Sequence, residues 1–337
     1  MIFIFKVFQD ITESAFNINK QSYMPMKAIV TGGSGFIASH LEDRLIDKGW
    51  EVHALDFSEQ TSNISHLMDE KKFTFTRMDL TDREQLAEIS KGYDFIFHLA
   101  ANSDIRAGGE DPNVDFRNTF LTTHSVLEAM RVNGIKNLFF SSTSAIYGDM
   151  PGVNLKEDTG ALSPISYYGA FKLASEAAIS SYSYMNSFNS LIFRFPNVVG
   201  PRLTHGVIFD FIKKLEADPT RLEILGNGKQ NKQYVHVHDL ADGIASFSER
   251  IDTGMNVYNI STHGSTTVRE IADMVCEGMG LTGVKYEFTG GDGGWKGDVP
   301  SFQYDISKAK EKGWTYKYDS TESVRKAVSD VMSDKFV

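Results

Sequence analysis

From Met26 to about Phe195, short runs of β-branched and aromatic residues alternate with stretches in which apolar residues recur every three or four positions. The runs predict strands at Lys27–Thr31, Glu51–Leu55, Thr74–Arg77, Asp94–His98, Asn137–Ser141 and Ser190–Arg194. The longer period predicts helices at Ile37–Lys48, Arg83–Ser90, Phe116–Asn133 and Tyr167–Met185. Because the strand runs are nearly unbroken in apolar residues, both of their faces must be buried. Strand–helix alternation of this kind predicts an α/β fold, a doubly wound parallel sheet with helices on both faces.

After about Pro196 the elements shorten and glycine and proline become more frequent. Helices are expected at Phe209–Ala217, Leu240–Glu249, Val268–Met279 and Glu322–Met332, with strands near Leu222–Leu225, Tyr234–His236 and Val257–Ile260. The stretch Thr289–Gly297 is too rich in glycine for anything but an irregular loop. The expected organisation is therefore residues 26–195 as the larger domain and 196–337 as a smaller C-terminal α/β lobe, with room for the chain to cross back between them. Residues 1–25 are expected outside the fold: the apolar run Ile2–Phe5 is broken by Lys6 and lacks the basic flank and cleavage site of a signal peptide.

Composition narrows the functional classes. Apolar residues at 41% and aromatics at 12% can build a core in a chain of 337 residues. With 34 basic and 44 acidic residues the net charge is −10, which argues against a general binder of nucleic acid or of an anionic membrane. The single cysteine, Cys276, excludes an internal disulfide and a cysteine-rich metal site, and fits a reducing, cytoplasmic setting. No run approaches the roughly 18 apolar residues that span a bilayer.

Three segments carry chemistry. Thr31-Gly32-Gly33-Ser34-Gly35-Phe36-Ile37 lies between the first strand and the first helix, where glycines let backbone N–H groups approach a pyrophosphate at a positive helix end. A glycine cluster alone can be a structural turn, but the second strand ends in Asp56, 21 residues beyond Gly35. An acid there accepts the ribose hydroxyls of NAD and repels a 2′-phosphate, although a strand-end turn residue would look the same. Tyr168 and Lys172, four apart at the start of a helix, share one helical face. A lysine ammonium at ~4 Å could supply the roughly 4 kcal/mol that a tyrosine base needs near neutrality; taken alone, the pair also reads as a surface accident. Between these segments, Ser141, Ser142 and Thr143 place hydroxyls at the carboxyl end of the fifth strand, where ligands of open parallel sheets sit.

Together these segments resemble the extended short-chain dehydrogenase/reductases, and among them nucleotide-sugar 4-epimerases of the UDP-glucose/UDP-galactose type, over about residues 26–335. The resemblance implies a Rossmann-type NAD-binding domain and a nucleotide-sugar-binding lobe. It implies that Gly32, Gly35, Phe36, Ile37 and Asp56 hold NAD and that Asp79 and Leu80 bracket its adenine. Leu99, Ala100, Ala101, Asn118, Ser141 and Phe195 would line the cofactor. Thr143 matches the catalytic hydroxyl, Tyr168 the base, and Lys172 the residue that binds the nicotinamide ribose and tunes the tyrosine. Asn197, Lys232 and Asp298 match substrate contacts, and Phe302 a wall of the sugar pocket that disfavours a 2-acetamido group, unless it simply packs beneath the glycine-rich loop. No metal is implied.

The implied reaction removes a hydride from the sugar C4, lets the 4-keto sugar turn over and returns the hydride to the other face, with no net redox change. Departures from the family pattern are Ala38 in place of a third glycine, Lys232 in place of arginine, and no arginine shortly before Gly297-Asp298. Related dehydratases place an Asp-Glu pair after the threonine and decarboxylases a glutamate two beyond it; Ser144-Ala145 supply neither. Epimerases of UDP-N-acetylhexosamine or UDP-glucuronate are alternatives, as is an NAD-sensing protein without turnover. The helices Phe116–Asn133 and Tyr167–Met185, with Phe120, Phe171, Ala174 and Ala178, are expected to pair across a homodimer or merely to cover the sheet.

Overall fold

The computed structural model describes residues 25–334 apart from Ser103, Asp292, Trp295, Lys296, Asp298 and Pro300. Of the segment expected outside the fold, 1–24 lies outside the described residues. Seven strands form one sheet: β1 Lys27–Thr31, β2 Glu51–Asp56, β3 Phe73–Arg77, β4 Phe95–His98, β5 Asn137–Thr143, β6 Asn189–Phe195 and β7 Met255–Asn259. All neighbours run parallel, in the order β7-β6-β5-β4-β1-β2-β3. The order reverses between β1 and β4, and such a switch point opens a crevice at the carboxyl ends of the strands.

Both sheet faces are buried, as the apolar runs require. Val30, Phe97, Phe139 and Phe193 join Ala38 and Leu41 of helix α1 (Phe36–Asp47) on one face. Ile29, Ile96, Phe140 and Ile192 join Val126, Leu127 and Met130 on the other. A separate cluster, with Phe211, Leu222, Ile271, Val275 and Val328, is the core of the C-terminal part. Around it the strands pair in short ladders: Asn197–Val199 with Tyr234–His236, Arg221–Ile224 with Lys285–Phe288, and Asn231–Lys232 with Thr266–Thr267.

The chain does cross back. The strand expected near Val257–Ile260 is β7, an edge of the main sheet beside β6. The helix Val237–Ser248 packs beside α1, with Arg44 Nε 2.5 Å from Asp242 Oδ1. The helix expected as one piece over Phe116–Asn133 begins instead as a π-turn, Phe116–Leu121, before α2 (Thr122–Asn133). Two short helices, Ile105–Glu110 and Pro112–Asp115, precede it. π-turns often mark functional sites, and this one follows the loop after β4.

Candidate active site

The loop between β1 and α1 is built on close approach. Gly32 has φ +69°, and a Cβ on it would stand 2.9 Å from the backbone nitrogen of Ala100, so no side chain fits. Gly35 N donates to Gly32 O at 2.9 Å, closing the turn. No side chain caps α1, and Ser39 N, bonded to Gly35 O at 3.0 Å, is the first N–H of the helix to pair backward. The amides of Phe36 and Ile37 are thus left at the positive end of the helix, suited to a diphosphate. Asp56, buried at the end of β2, is turned to the same loop: one carboxylate oxygen accepts Ser34 N at 3.1 Å and Ser34 Oγ at 2.8 Å, the other Ser58 N at 3.0 Å. This backbone cradle fits NAD.

Asp79 is exposed and accepts from Thr81 N at 2.9 Å and Arg117 Nη2 at 2.6 Å, while Leu80 is buried. Leu99, Ala100 and Ala101, half-buried, follow β4 and meet the glycine loop, with Ala100 N donating to Thr31 Oγ1 at 3.3 Å. Asn118 lies half-buried in the π-turn. Its neighbour Thr119 is the residue that turns into the β4 loop, where its hydroxyl accepts Asn102 N at 3.2 Å.

Thr143 ends β5 and its hydroxyl accepts Ala145 N at 3.2 Å, opening the turn Ser144–Tyr147. Helix α3 (Tyr167–Asn186) starts where Ser166 Oγ accepts Gly169 N at 3.1 Å, a cap that sets Tyr168 on the first turn and Lys172 on the next. The Thr143 hydroxyl faces the Tyr168 phenol and favours its ionised form. Lys172 is 1% exposed; its Nζ donates to Ser141 O at 2.6 Å and lies 3.5 Å from Ser141 Oγ.

The electrostatics depart from the sequence expectation. Lys172 Nζ sits 5.8 Å from the Tyr168 ring centroid and 4.7 Å from that of Phe140, with its hydrogen bonds directed to Ser141. Burial pushes the Tyr168 phenol up, and the Asp115 carboxylate adds to this against the opposing Thr143 bond. Burial also pulls Lys172 down to about 7, although Glu176 opposes it. The physical reason is direction: spacing four along a helix brings two side chains to one face without aiming one head group at the other.

Several residues at the site were missed by sequence reasoning. Glu176, one turn beyond Lys172, accepts from Arg194 at 2.7 Å and from the Ser142 hydroxyl. Arg194 also donates to Tyr147 OH at 2.9 Å, which donates to Asn259 at 2.7 Å. His98, pulled down to about 3 by burial and then by Lys172, links Thr31 at 2.7 Å to Thr123 at 3.0 Å. Buried Asp115 accepts from Asn102 Nδ2 at 2.9 Å. Glu176 had a readable signal in its i+4 spacing from Lys172, whereas His98, Tyr147 and Arg194 lie in segments that carry the resemblance but whose hydrogen bonds the sequence does not show.

Among the remaining candidates, Phe195 is half-buried beside Thr143 in the sheet register. Asn197 is exposed on the strand paired with Tyr234–His236, and Lys232 is half-buried nearby. Phe302 packs against Ile146, Tyr147, Leu155 and Tyr304, with its ring 5.6 Å from that of Tyr304. Asp298 lies outside the described residues. Among the described residues no group of histidines, cysteines or acids could hold a metal, and no helix is long and apolar enough to cross a membrane.

Residues 28–261 match the model of the NAD dependent epimerase/dehydratase family. A UDP-glucose 4-epimerase of Mycolicibacterium smegmatis is 29% identical over 90% of this chain and 97% of its own. A crystal structure of a UDP-galactose 4-epimerase superposes with a TM-score of 0.81 at 33% identity, covering 93% of this chain and all of that one, 100%. A UDP-N-acetylglucosamine 4-epimerase from Methanobrevibacter ruminantium gives 0.81 at 28% identity, covering 92% and 99%. With a Rossmann-type sheet, a glycine cradle suited to NAD and a match across most of its length, the chain belongs to the NAD-dependent epimerase/dehydratase family and is an NAD-dependent epimerase.

Proposed function

We propose that the protein interconverts UDP-glucose and UDP-galactose by 4-epimerisation through a transient 4-keto sugar. The observation that carries this reading is the meeting of Thr143, Tyr168 and Lys172 at the end of β5, followed by a turn, Ser144–Tyr147, that holds no carboxylate. Dehydration and decarboxylation need an acid beside the threonine; epimerisation does not. NAD, when bound, supplies the hydride acceptor and donor.

Gly32, Gly35, Phe36 and Ile37 hold the diphosphate of NAD, Asp56 the ribose hydroxyls, and Asp79 and Leu80 flank the adenine. Leu99, Ala100, Ala101, Asn118, Ser141 and Phe195 line its remaining length. Tyr168 takes the proton of the sugar 4-hydroxyl and later returns it, while Thr143 orients the oxygen. Because burial holds the phenol up, the Thr143 hydrogen bond and cationic charge near the phenol must favour the phenolate. Lys172, anchored on Ser141 O, holds its ammonium beneath the tyrosine ring and is set to bind a ribose hydroxyl. Asn197 contacts the diphosphate of the nucleotide sugar, Lys232 and Asp298 hold its nucleotide, and Phe302 walls the sugar.

The same reading makes the protein a cytoplasmic homodimer. Phe116, 42% exposed, forms an aromatic cluster with Phe120 and Phe171 on adjoining faces of the π-turn and α3, a patch suited to a second copy. Incubation with UDP-glucose in the absence of added reductant is expected to give UDP-galactose, and a panel of UDP-, GDP-, CDP- and dTDP-sugars ranks the substrates. Binding of NAD with turnover of no nucleotide sugar would favour the sensor reading instead.

A further inference from the structure

Beneath the glycine loop lies a titratable group that the reaction does not use. Glu42, on α1, is 0% exposed, and neither carboxylate oxygen has a hydrogen-bond partner. A Cβ built on Gly33 would stand 2.9 Å from Glu42 Oε1 and 2.6 Å from the Ala54 methyl, so the carboxyl is wedged against the backbone of the loop itself. Asp43 on the same helix and Asp56 at the end of β2 face it as like charges. The cation facing it, Arg202, is already held by Asp43 at 2.9 Å. His66 bonds Asp43 at 2.7 Å, and His40, pulled down to about 3 by burial, adds no charge near neutrality.

A buried carboxylate without donors is among the costliest burials, and such a group takes a proton instead. Burial, then Asp43 and Asp56, push the Glu42 carboxyl well above the ordinary range. A dinucleotide seated on the loop would bring further negative charge to the same place. We propose that Glu42 is a proton-linked determinant of cofactor binding: NAD is held by the form in which Glu42 carries a proton, and a proton is taken up from solvent where free Glu42 is ionised. By reciprocity, whatever ionises Glu42 loosens NAD, and NAD opposes the ionisation. This inference rests on the glycine loop being the diphosphate site.

Titration of the full chain with NAD from pH 6 to 10, together with calorimetry in buffers of different ionisation enthalpy, tests it. Wild-type affinity should weaken by up to about tenfold per pH unit over part of that range, with uptake of up to one proton. Glu42→Gln should bind with nearly constant affinity and take up none, and Glu42→Met, which asks for no hydrogen bond, should do the same. A second readout needs no cofactor. The raised carboxyl makes folding less favourable as pH climbs above the unfolded value near ~4.3, so each variant should gain more melting temperature over wild type at pH 8 than at pH 5. Parallel pH curves in wild type and variants, or equal gains at both pH values, would overturn the role of Glu42 while leaving the cofactor site intact. Absence of NAD binding in wild type at every pH would overturn the site and the inference together.

Discussion

The dinucleotide side and the sugar side of the active centre are built by different means. On the proposed reading the first draws on the ends of β1, β2 and β4, where backbone amides, small residues and one buried acid, Asp56, would hold the dinucleotide within a continuous sheet. On the same reading the second draws on two- to four-residue pairings, where single side chains such as Asn197 and Lys232 would carry recognition. A backbone cradle tolerates sequence change wherever no Cβ intrudes. A side-chain wall changes specificity with one substitution. On this reading the seat for a dinucleotide is a property of the fold, with Asp56 the one side chain that chooses between NAD and NADP, whereas sugar identity rests on a few residues, which accords with relatives of similar fold that act on different sugars.

The most severe break should come at the junction of the two sides. Tyr168→Phe keeps the ring and its packing but removes the base, so turnover should fall by at least ~100-fold while folding and NAD binding persist. Near-normal turnover in that variant would end the proposed mechanism. On the sugar side, Phe302→Cys opens the wall. UDP-N-acetylglucosamine should gain on UDP-glucose by roughly 5- to 150-fold, the range that follows from ~1–3 kcal/mol of relieved overpacking. An unchanged ratio of the two rates would remove Phe302 from the pocket.

On the dinucleotide side the expected effects are smaller. Wild type should bind NAD more tightly than NADP, and Asp56→Ser should narrow that gap by about tenfold, roughly 1.4 kcal/mol. Equal wild-type affinities, measured by titration, would contradict this. The smallest effect is on stability. Because burial pulls Lys172 down to about 7, wild type bears the full cost of a buried ammonium below that pH, and the cost fades as pH rises toward the unfolded value. Lys172→Met should therefore raise the melting temperature by several degrees at pH 6 and by less at pH 10. A gain that is larger at pH 10 would show that the ammonium is better solvated than its burial implies.

Local order along the chain was enough for much of this protein. Strand and helix periods placed the first six strands of the sheet to within two residues at each end, because doubly buried strands leave continuous apolar runs. The glycine cluster, Asp56, and the Tyr168/Lys172 spacing were readable because each is a short segment whose chemistry depends on its immediate neighbours. What only the tertiary structure decided are meetings across long separations. β7 joins the main sheet although it follows the short-stranded region. Lys172 bonds Ser141, 31 residues away, and not the tyrosine one turn back. Nothing local to Glu42 in the sequence marks it as buried; the close approach of α1 to Gly33 and Ala54 buries it. Periodicity reports which face of an element is covered; the direction of a side chain and the charges that surround it depend on elements the local pattern cannot see.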